Sequence, residues 1–390
     1  MNWKKEPLGK ICKTTSGGTP SRKNQSYYQN GTIPWVKSGE LENNIITTSE
    51  EFITEEGLLN SSAKIFPAGT LLIALYGATI GKLAFLGIDA ATNQAVCGIF
   101  QNENVSLKYL YYYLLFQRPN LIKQGVGGAQ PNISQTILKK LEISYPDSIT
   151  EQQRIVARIE ELFSELDKAV DTLKTTKEQL TVYRRAVLKD AFSSCEPQVK
   201  IKDVCYHVTD GDHMPPPKTT QGIPFIMISN IQNNHINWTA TNFVGEEYYK
   251  QIGEKRTPRK GDILYTVTGS FGIPVMIDFD KKFCFQRHIA LLRPNAAIRQ
   301  RFLYYALQSP AVYSQATKRA TGTAQKTVGL STLRDISIPY TSDLLMQENI
   351  ELEVKKGLCA CDHIEKNVDT VLAQADAMRQ SILKRMFNIL

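Results

Sequence analysis

The chain has 390 residues, 46 Lys and Arg against 38 Asp and Glu (net charge +8), 42% hydrophobic and 22% charged residues. That balance suits a globular chain of two or three domains, each able to bury its own core, and excludes a disordered or fibrous one. No apolar run approaches the roughly 20 residues of a membrane-spanning helix. Met1-Asn-Trp-Lys-Lys-Glu6 lacks the apolar stretch of a secretory signal, so a cytoplasmic protein is expected.

Residues 7–146 read as an α+β domain. Ile33-Pro-Trp-Val36 and Gly69-Thr-Leu-Leu-Ile-Ala-Leu75 are short strand-like runs bounded by Gly and Pro, and Ser16-Gly-Gly-Thr-Pro20 is loop chemistry. Residues 106–117 predict a helix with a serine cap and an aromatic face. A loop from Gly125 to Asn132 follows, and Ile133 to Leu141 leads into a last strand ending at Pro146.

Residues 149–192 change character. Ile155, Ile159, Leu162, Leu166, Ala169, Leu173, Leu180, Tyr183 and Val187 recur at alternating steps of four and three, interrupted at Thr176. A sustained 3.5-residue period asks for a partner helix along one seam. Residues 343–388 supply it in the same register: Ile350, Val354, Cys361, Ile364, Val368, Val371, Ala375, Met378 and Ile382, with Gly357 as its weak point.

Between the two helices, residues 199–341 replay the first domain. Ile223-Pro-Phe-Ile226 answers Ile33-Pro-Trp-Val36, and Gly261-Asp-Ile-Leu264 answers Gly69-Thr-Leu-Leu72. Phe302-Leu-Tyr-Tyr305 answers Tyr109-Leu-Tyr-Tyr112, and Gly322-Thr-Ala-Gln325 answers Gly127-Gly-Ala-Gln130. The helices match as well, Tyr183-Arg-Arg-Ala-Val-Leu-Lys189 against Met378-Arg-Gln-Ser-Ile-Leu-Lys384. The chain is a duplicated module of globular domain plus long helix. The expected divisions are residues 1–148, 149–195, 196–341 and 342–390. Short linkers predict an antiparallel helix pair related by a pseudo-two-fold axis, with the globular domains at opposite ends.

Charge is unevenly spread over these segments. The globular segments carry 14 basic against 11 acidic and 18 against 11 residues; the helices carry 8 against 8 and 6 against 8. Globular parts that meet a polyanion and helices that meet protein would show this division.

The motifs of catalysis fall short. Gly77-Ala-Thr-Ile-Gly81-Lys82-Leu83 is one residue too short for a phosphate-binding loop and lacks its Ser/Thr, so it reads as a glycine turn. Met214-Pro-Pro-Pro-Lys218 has neither the head nor the tail of an adenine methyltransferase tetrapeptide. Glu353-Val-Lys355 has the local spelling of a nuclease but lies on the long helix, and no Ser or Cys sits in a nucleophile elbow. Seven scattered cysteines without a C-x-x-C pair read as reduced thiols. Cys205, His207 and His213 lack a fourth ligand at a zinc spacing, so no metal is expected.

Recognition remains. Basic and amide side chains on loops beside aromatics can touch phosphates and base edges. The candidates in the first domain are Arg22, Lys23, Trp35, Lys37, Tyr76, Lys82, Asn93, Gln94, Gln130 and Asn132. Those in the second are Lys218, Asn230, Arg256, Thr268, Ser270, Arg287, His288, Lys318, Arg319, Gln325 and Lys326. For each of them a solvated surface group or, for Trp35, a core aromatic is the competing reading.

The order of these strings resembles the specificity subunit of type I restriction–modification systems. The resemblance rests on Ser16-Gly-Gly-Thr-Pro20, Ile33-Pro-Trp-Val-Lys-Ser38, Gly77-Ala-Thr-Ile-Gly81-Lys82, Thr92-Asn-Gln-Ala95, Glu151-Gln-Gln-Arg-Ile-Val156 and Gln286-Arg-His-Ile-Ala290. It covers essentially the whole chain; the second helix opens on a diverged copy, Met346-Gln-Glu-Asn-Ile350. The family implies an α+β fold of two pseudo-symmetric α/β target recognition domains joined by two long antiparallel coiled-coil helices. Each domain would read one half of a bipartite, asymmetric site on double-stranded DNA. The helices would space the domains and dock two modification (methyltransferase) subunits, which recruit restriction (motor-nuclease) subunits. S-adenosylmethionine, ATP and magnesium would belong to those partners, and this chain would hold no cofactor and perform no catalysis. Two other readings compete: a stand-alone DNA methyltransferase or nuclease with diverged motifs, which requires turnover without partners, and a coiled-coil scaffold, which requires sequence-independent DNA affinity or none.

Overall fold

A computed structural model describes residues 2–125, 132–196, 198–213, 216–239, 241–323 and 325–388. The chain forms two compact units, Met1–Thr172 with Val371–Leu390 (unit 1) and Leu173–Thr370 (unit 2). Their boundaries fall inside the long helices, so each unit owns a globular segment and part of both helices.

Each globular segment opens and closes on one antiparallel strand pair. Trp3–Pro7 pairs with Glu142–Pro146 in unit 1, and Gln198–Lys200 with Ser337–Pro339 in unit 2. Chain entry and exit are thus held side by side. Between them unit 1 builds a five-stranded sheet in the order Thr14–Ser16, Val96–Ile99, Leu71–Ala74, Leu83–Leu86, Asn44–Ile46. Unit 2 answers with Cys205–Asp210, Ile289–Pro294, Ile263–Thr266, Pro274–Met276. A second sheet in each unit sets the Ile-Pro-aromatic strand parallel to a short one, with Trp35 opposite Ala91 and Phe225 opposite Cys284. Leu71, Leu72, Ile73 and Ala74 are all buried, which is why this strand reads as an unbroken apolar run rather than an alternating one.

The helix ends complete the cores. Ile155, Val156 and Ile159 from the start of the first long helix join Leu383 and Phe387 from the end of the second in the main core of unit 1. In unit 2 the roles exchange: Leu188, Ala191 and Phe192 meet Ile350 and Val354. In both units the start of one helix therefore lies by the end of the other, which makes the helices, Ile149–Ala191 and Leu344–Asn388, antiparallel. Ion pairs fix the register within unit 2, Lys177 to Asp369 at 2.7 Å and Arg184 to Asp362 at 2.7 Å. Asp167 and Arg379 form the matching pair in unit 1.

The apolar seam is narrower than its sequence period suggests. Ile155, Ile159, Leu180, Ile350, Val354, Cys361, Val368 and Ala375 are buried, and Leu162, Leu166, Leu173, Val187 and Ile382 are half-buried. Tyr183, Ile364, Val371, Met378 and Ala169 are exposed. Two helices alone cover one stripe, and the flanking row goes to charges such as Arg184, which also reaches Glu365 at 2.8 Å. Gly357 strengthens the pairing: a Cβ there would lie 2.8 Å from a methyl of Val187, so close approach requires its absence.

One element overruns its expected end. The aromatic helix spans Leu107–Gln124 and passes through Pro119. Proline lacks the N–H that would bond the carbonyl four residues back. That carbonyl, Leu115 O, accepts instead from Gln380 Nε2 at 3.2 Å, so the second long helix supplies the missing donor.

Candidate nucleic-acid interface

Four backbone hydrogen bonds gather the loops at one end of the unit 1 sheets. Gly18 N donates to Thr92 O (2.9 Å), Asn93 N to Val36 O (3.0 Å), Leu75 N to Ala95 O (2.8 Å) and Ile133 N to Leu75 O (2.8 Å). Unit 2 repeats all four: Asp212 N to Phe285 O (3.0 Å), Gln286 N to Ile226 O (3.0 Å), Val267 N to His288 O (3.0 Å) and Val328 N to Val267 O (2.8 Å). Facing bridges, Tyr76 with Asn132 and Thr268 with Thr327, complete the match. Because main-chain groups make these ties, they do not depend on side-chain identity, except at Gly17, Gly18 and Gly211, where a Cβ would lie 2.0–2.2 Å from a neighbouring atom. Such a frame holds different readers in one geometry.

Several expected unit 1 readers sit in this frame, but some are committed elsewhere. Trp35 is a core residue, 2% exposed, and its indole N–H donates to Gly18 O at 2.9 Å; it pins the glycine loop rather than meeting a base. Lys37 is held by Glu50 and Glu51, each at 3.0 Å, and these hydrogen bonds raise its pKa. Arg22 pairs with Glu51 at 2.7 Å and lies over the rings of Tyr28 and Trp35. Gln94, exposed, accepts from the Thr19 hydroxyl. Asn93 keeps a buried Oδ1 with no hydrogen-bond partner among the described residues. Tyr76, Lys23 and Asn132 are exposed and Lys82 is half-buried, whereas Gln130 lies outside the described residues. The glycine turn at Gly77 and Gly81 has positive φ at both, 63° and 70°, as only glycine adopts readily.

In unit 2 Asn230 and Thr268 are corrected to structural residues. Asn230 is 3% exposed and accepts from Met227 N at 2.9 Å, closing a turn. Thr268, 7% exposed, accepts from the Thr327 hydroxyl at 3.3 Å. Lys218, Ser270, Arg287, Gln325 and Lys326 are exposed on the loops. Lys318 and Arg319 end the helix Pro310–Arg319, where Arg319 donates to Asp335 O. Arg256 stands 3.6 Å from Asp210. Burial, then the Arg287 guanidinium, lowers the pKa of His288, which is neutral at pH 7.

Two kinds of residue escape the sequence reading. The first is a cleft of about 290 Å³ in unit 2, whose lining includes Asp212, His213, Phe225 and Met227 beside Lys218, Arg287 and His288. Aligning the repeats places Asp212 where unit 1 has Gly18, and that change from glycine to carboxylate was the available signal. The second is a buried glutamine at each long-helix start. Gln152, fully buried, accepts from Ser106 N (2.9 Å) and donates to Asn104 O and Pro146 O (both 2.9 Å). Gln347 does the same for Arg299 N (2.8 Å), Ala297 O (3.0 Å) and Thr341 O (2.8 Å). The diverged opening of the second helix thus keeps a glutamine that fastens it to its domain.

Known proteins resemble this chain in sequence and in fold. Two specificity subunits match over part of the chain. The EcoR124I/EcoR124II subunit of Escherichia coli is 32% identical over 161 residues, covering 40% of this chain and 39% of that protein. The MjaIX subunit of Methanocaldococcus jannaschii is 32% identical over 203 residues, covering 50% and 45%. These matches span under half the length of either relative. The EcoKI specificity subunit of E. coli K12 aligns at 22% identity over 99% of this chain and 88% of its own. Among solved structures, a chain from a study of complex assembly and conformational transition in a type I R-M system superposes with a TM-score of 0.74 at 18% identity, covering 99% and 97% of the two chains. The HsdS subunit of Thermoanaerobacter tengcongensis follows at 0.61 and 18%, covering 99% and 96%. The model of the type I restriction modification DNA specificity domain matches residues 1–181 and again 197–350, so the chain belongs to that family.

Proposed function

We propose that this chain is the DNA sequence-specificity subunit of a type I restriction–modification complex. Each unit reads one half of a bipartite, asymmetric site on double-stranded DNA, and the helix pair sets the spacing between half-sites. The observation that supports this reading most is the loop frame made twice from the same four main-chain hydrogen bonds and filled with different side chains. One frame with two fillings suits a protein that reads two different short sequences.

The chemistry is assigned to companions. Modification subunits dock on the helices and carry S-adenosylmethionine, and restriction subunits carry ATP and magnesium. The exposed apolar side chains Tyr183, Ile364, Val371 and Met378 on the helix flanks favour docking of further helices there. A cytoplasmic location follows from acting on genomic and invading DNA.

Selection from a randomised duplex library by the purified full chain tests this. Two short motifs separated by a fixed run of unread positions are expected, over a salt-sensitive nonspecific background. One contiguous motif, or none, defeats the reading.

A further inference from the structure

The corresponding clefts of the two units differ in what occupies them. In unit 1 the planar Arg22 guanidinium lies 4.4 Å from the Tyr28 ring centroid and 4.9 Å from that of Trp35, and Glu51 holds it at 2.7 Å. In unit 2 Phe225 stands in the place of Trp35, and Lys218 is the first cation after the glycine loop, as Arg22 is in unit 1. Lys218 has no ion pair among the described residues, and the cleft of about 290 Å³ stands open beside it, with apolar walls from Phe225, Met227 and Pro216.

Two further charged groups line this cleft with spare hydrogen-bonding capacity. Asp212 Oδ2 accepts from the Tyr248 hydroxyl at 2.8 Å, and Oδ1 has no donor among the described residues. Arg287, exposed, makes no ion pair among the described residues. The backbone fixes the two side by side, since Arg287 N donates to Asp212 O at 3.0 Å. The result is a carboxylate acceptor next to a forked donor, with apolar groups around both.

We propose that Asp212 and Arg287 together read one C·G base pair in the half-site recognised by unit 2; the inference rests on that unit being a DNA-reading domain. In the major groove cytosine offers its N4 amino group as donor, beside guanine O6 and N7 as paired acceptors. The free carboxylate oxygen of Asp212 takes the amino hydrogen. The guanidinium of Arg287 spans O6 and N7, and only guanine presents two acceptors on one base edge to such a fork. In unit 1 the aligned positions are Gly18 and Gln94, which offer neither a carboxylate nor a guanidinium, so the pair of roles is peculiar to unit 2.

The test is the same duplex selection run with the full chain and with Asp212→Ala and Arg287→Ala. Both variants should lose preference at one shared C·G position of one half-site, weakening binding to the wild-type motif by about 5–150-fold, the span of a single good bidentate base contact. The other half-site, read by unit 1, reports in the same experiment that the variants are folded. Unchanged motifs in both variants, or changes at different positions or at an A·T pair, overturn the assignment while leaving unit 2 a reader. A wild-type chain that enriches no motif overturns the recognition reading and this inference together.

Discussion

Units 1 and 2 agree in what holds them and differ in what they hold out. Their loop frames and glutamine fastenings coincide bond for bond and their entry and exit strands pair in the same sense, whereas the clefts beside the glycine loops differ. Unit 1 fills its cleft with its own arginine, and unit 2 leaves it open with an acceptor and a donor facing in. Main-chain and buried contacts carry the fold, so surface side chains are free to diverge. On the proposed reading, duplication followed by divergence around these shared ties gives two specificities on one scaffold.

The strongest way to break that comparison is to injure the two units at equivalent places. Phe387 packs on Tyr109, Tyr113 and Phe116 with ring centroids 5.2–5.5 Å apart, and its counterpart Phe192 packs on Phe302 at 5.2 Å. Phe387→Ala and Phe192→Ala should each destabilise by about 3–5 kcal/mol, the usual range for a buried phenylalanine. Hydrogen exchange locates the damage: Phe387→Ala should speed exchange in Leu71–Ala74 and leave Ile263–Thr266 protected, and Phe192→Ala the reverse. Equal loss of protection in both strands would show that the units do not fold as separate bodies.

The glutamine fastenings come next in size. Gln152→Ala or Gln347→Ala removes the glutamine partner of one part-buried N–H and two carbonyls, about 1–3 kcal/mol where a group is left unsatisfied. Each variant should fray the start of its own helix, seen as faster exchange over residues 152–158 or 347–353. If only Gln152→Ala does so, the diverged opening of the second helix is not equivalent after all.

These fastenings also mark where sequence reading stops. The duplication, the two long helices and the strand cores were legible because burial imposes a period on the side chains, as at Leu71–Ala74 and along Ile155 to Val187. Main-chain bonding leaves no such trace. Pro119 signals a helix end, and only Gln380, far along the chain, shows why the helix continues. Trp35 and Asn230 carry the same residue types as base readers, and their burial is decided by neighbours that periodicity does not reveal. The apolar period overstates the seam for a related reason: a 3.5-residue pattern marks every position a partner could cover, including Ile364 and Met378, which the first helix alone does not cover. Asp212 leaves no periodic signal because a single glycine-to-aspartate difference between repeats has no spacing of its own.

The smallest expected effect concerns the contrast between the clefts. Arg22→Ala removes a half-exposed ion pair and a stacking contact, and such surface pairs contribute about 0–1 kcal/mol. Its influence on pH dependence is clearer in sign. Burial pushes the Glu51 carboxyl up, but Lys37 and Arg22 outweigh it and hold the folded-state pKa below the ordinary carboxylate range. A depressed carboxylate contributes stability that is full above its unfolded pKa and lost as pH falls through the lowered folded value. Arg22→Ala should therefore make unit 1 slightly less stable at neutral pH and flatten its acid dependence, measured by denaturant unfolding between pH 3 and 7. It should also vacate the space over Trp35 and broaden base preference in the unit 1 half-site. Lys218→Ala, lacking a carboxylate partner, should leave the acid limb of unit 2 unchanged. An Arg22→Ala chain with the wild-type acid limb and the wild-type motif would mean that the filled and open clefts are equivalent, and the contrast between the units would reduce to their loops alone.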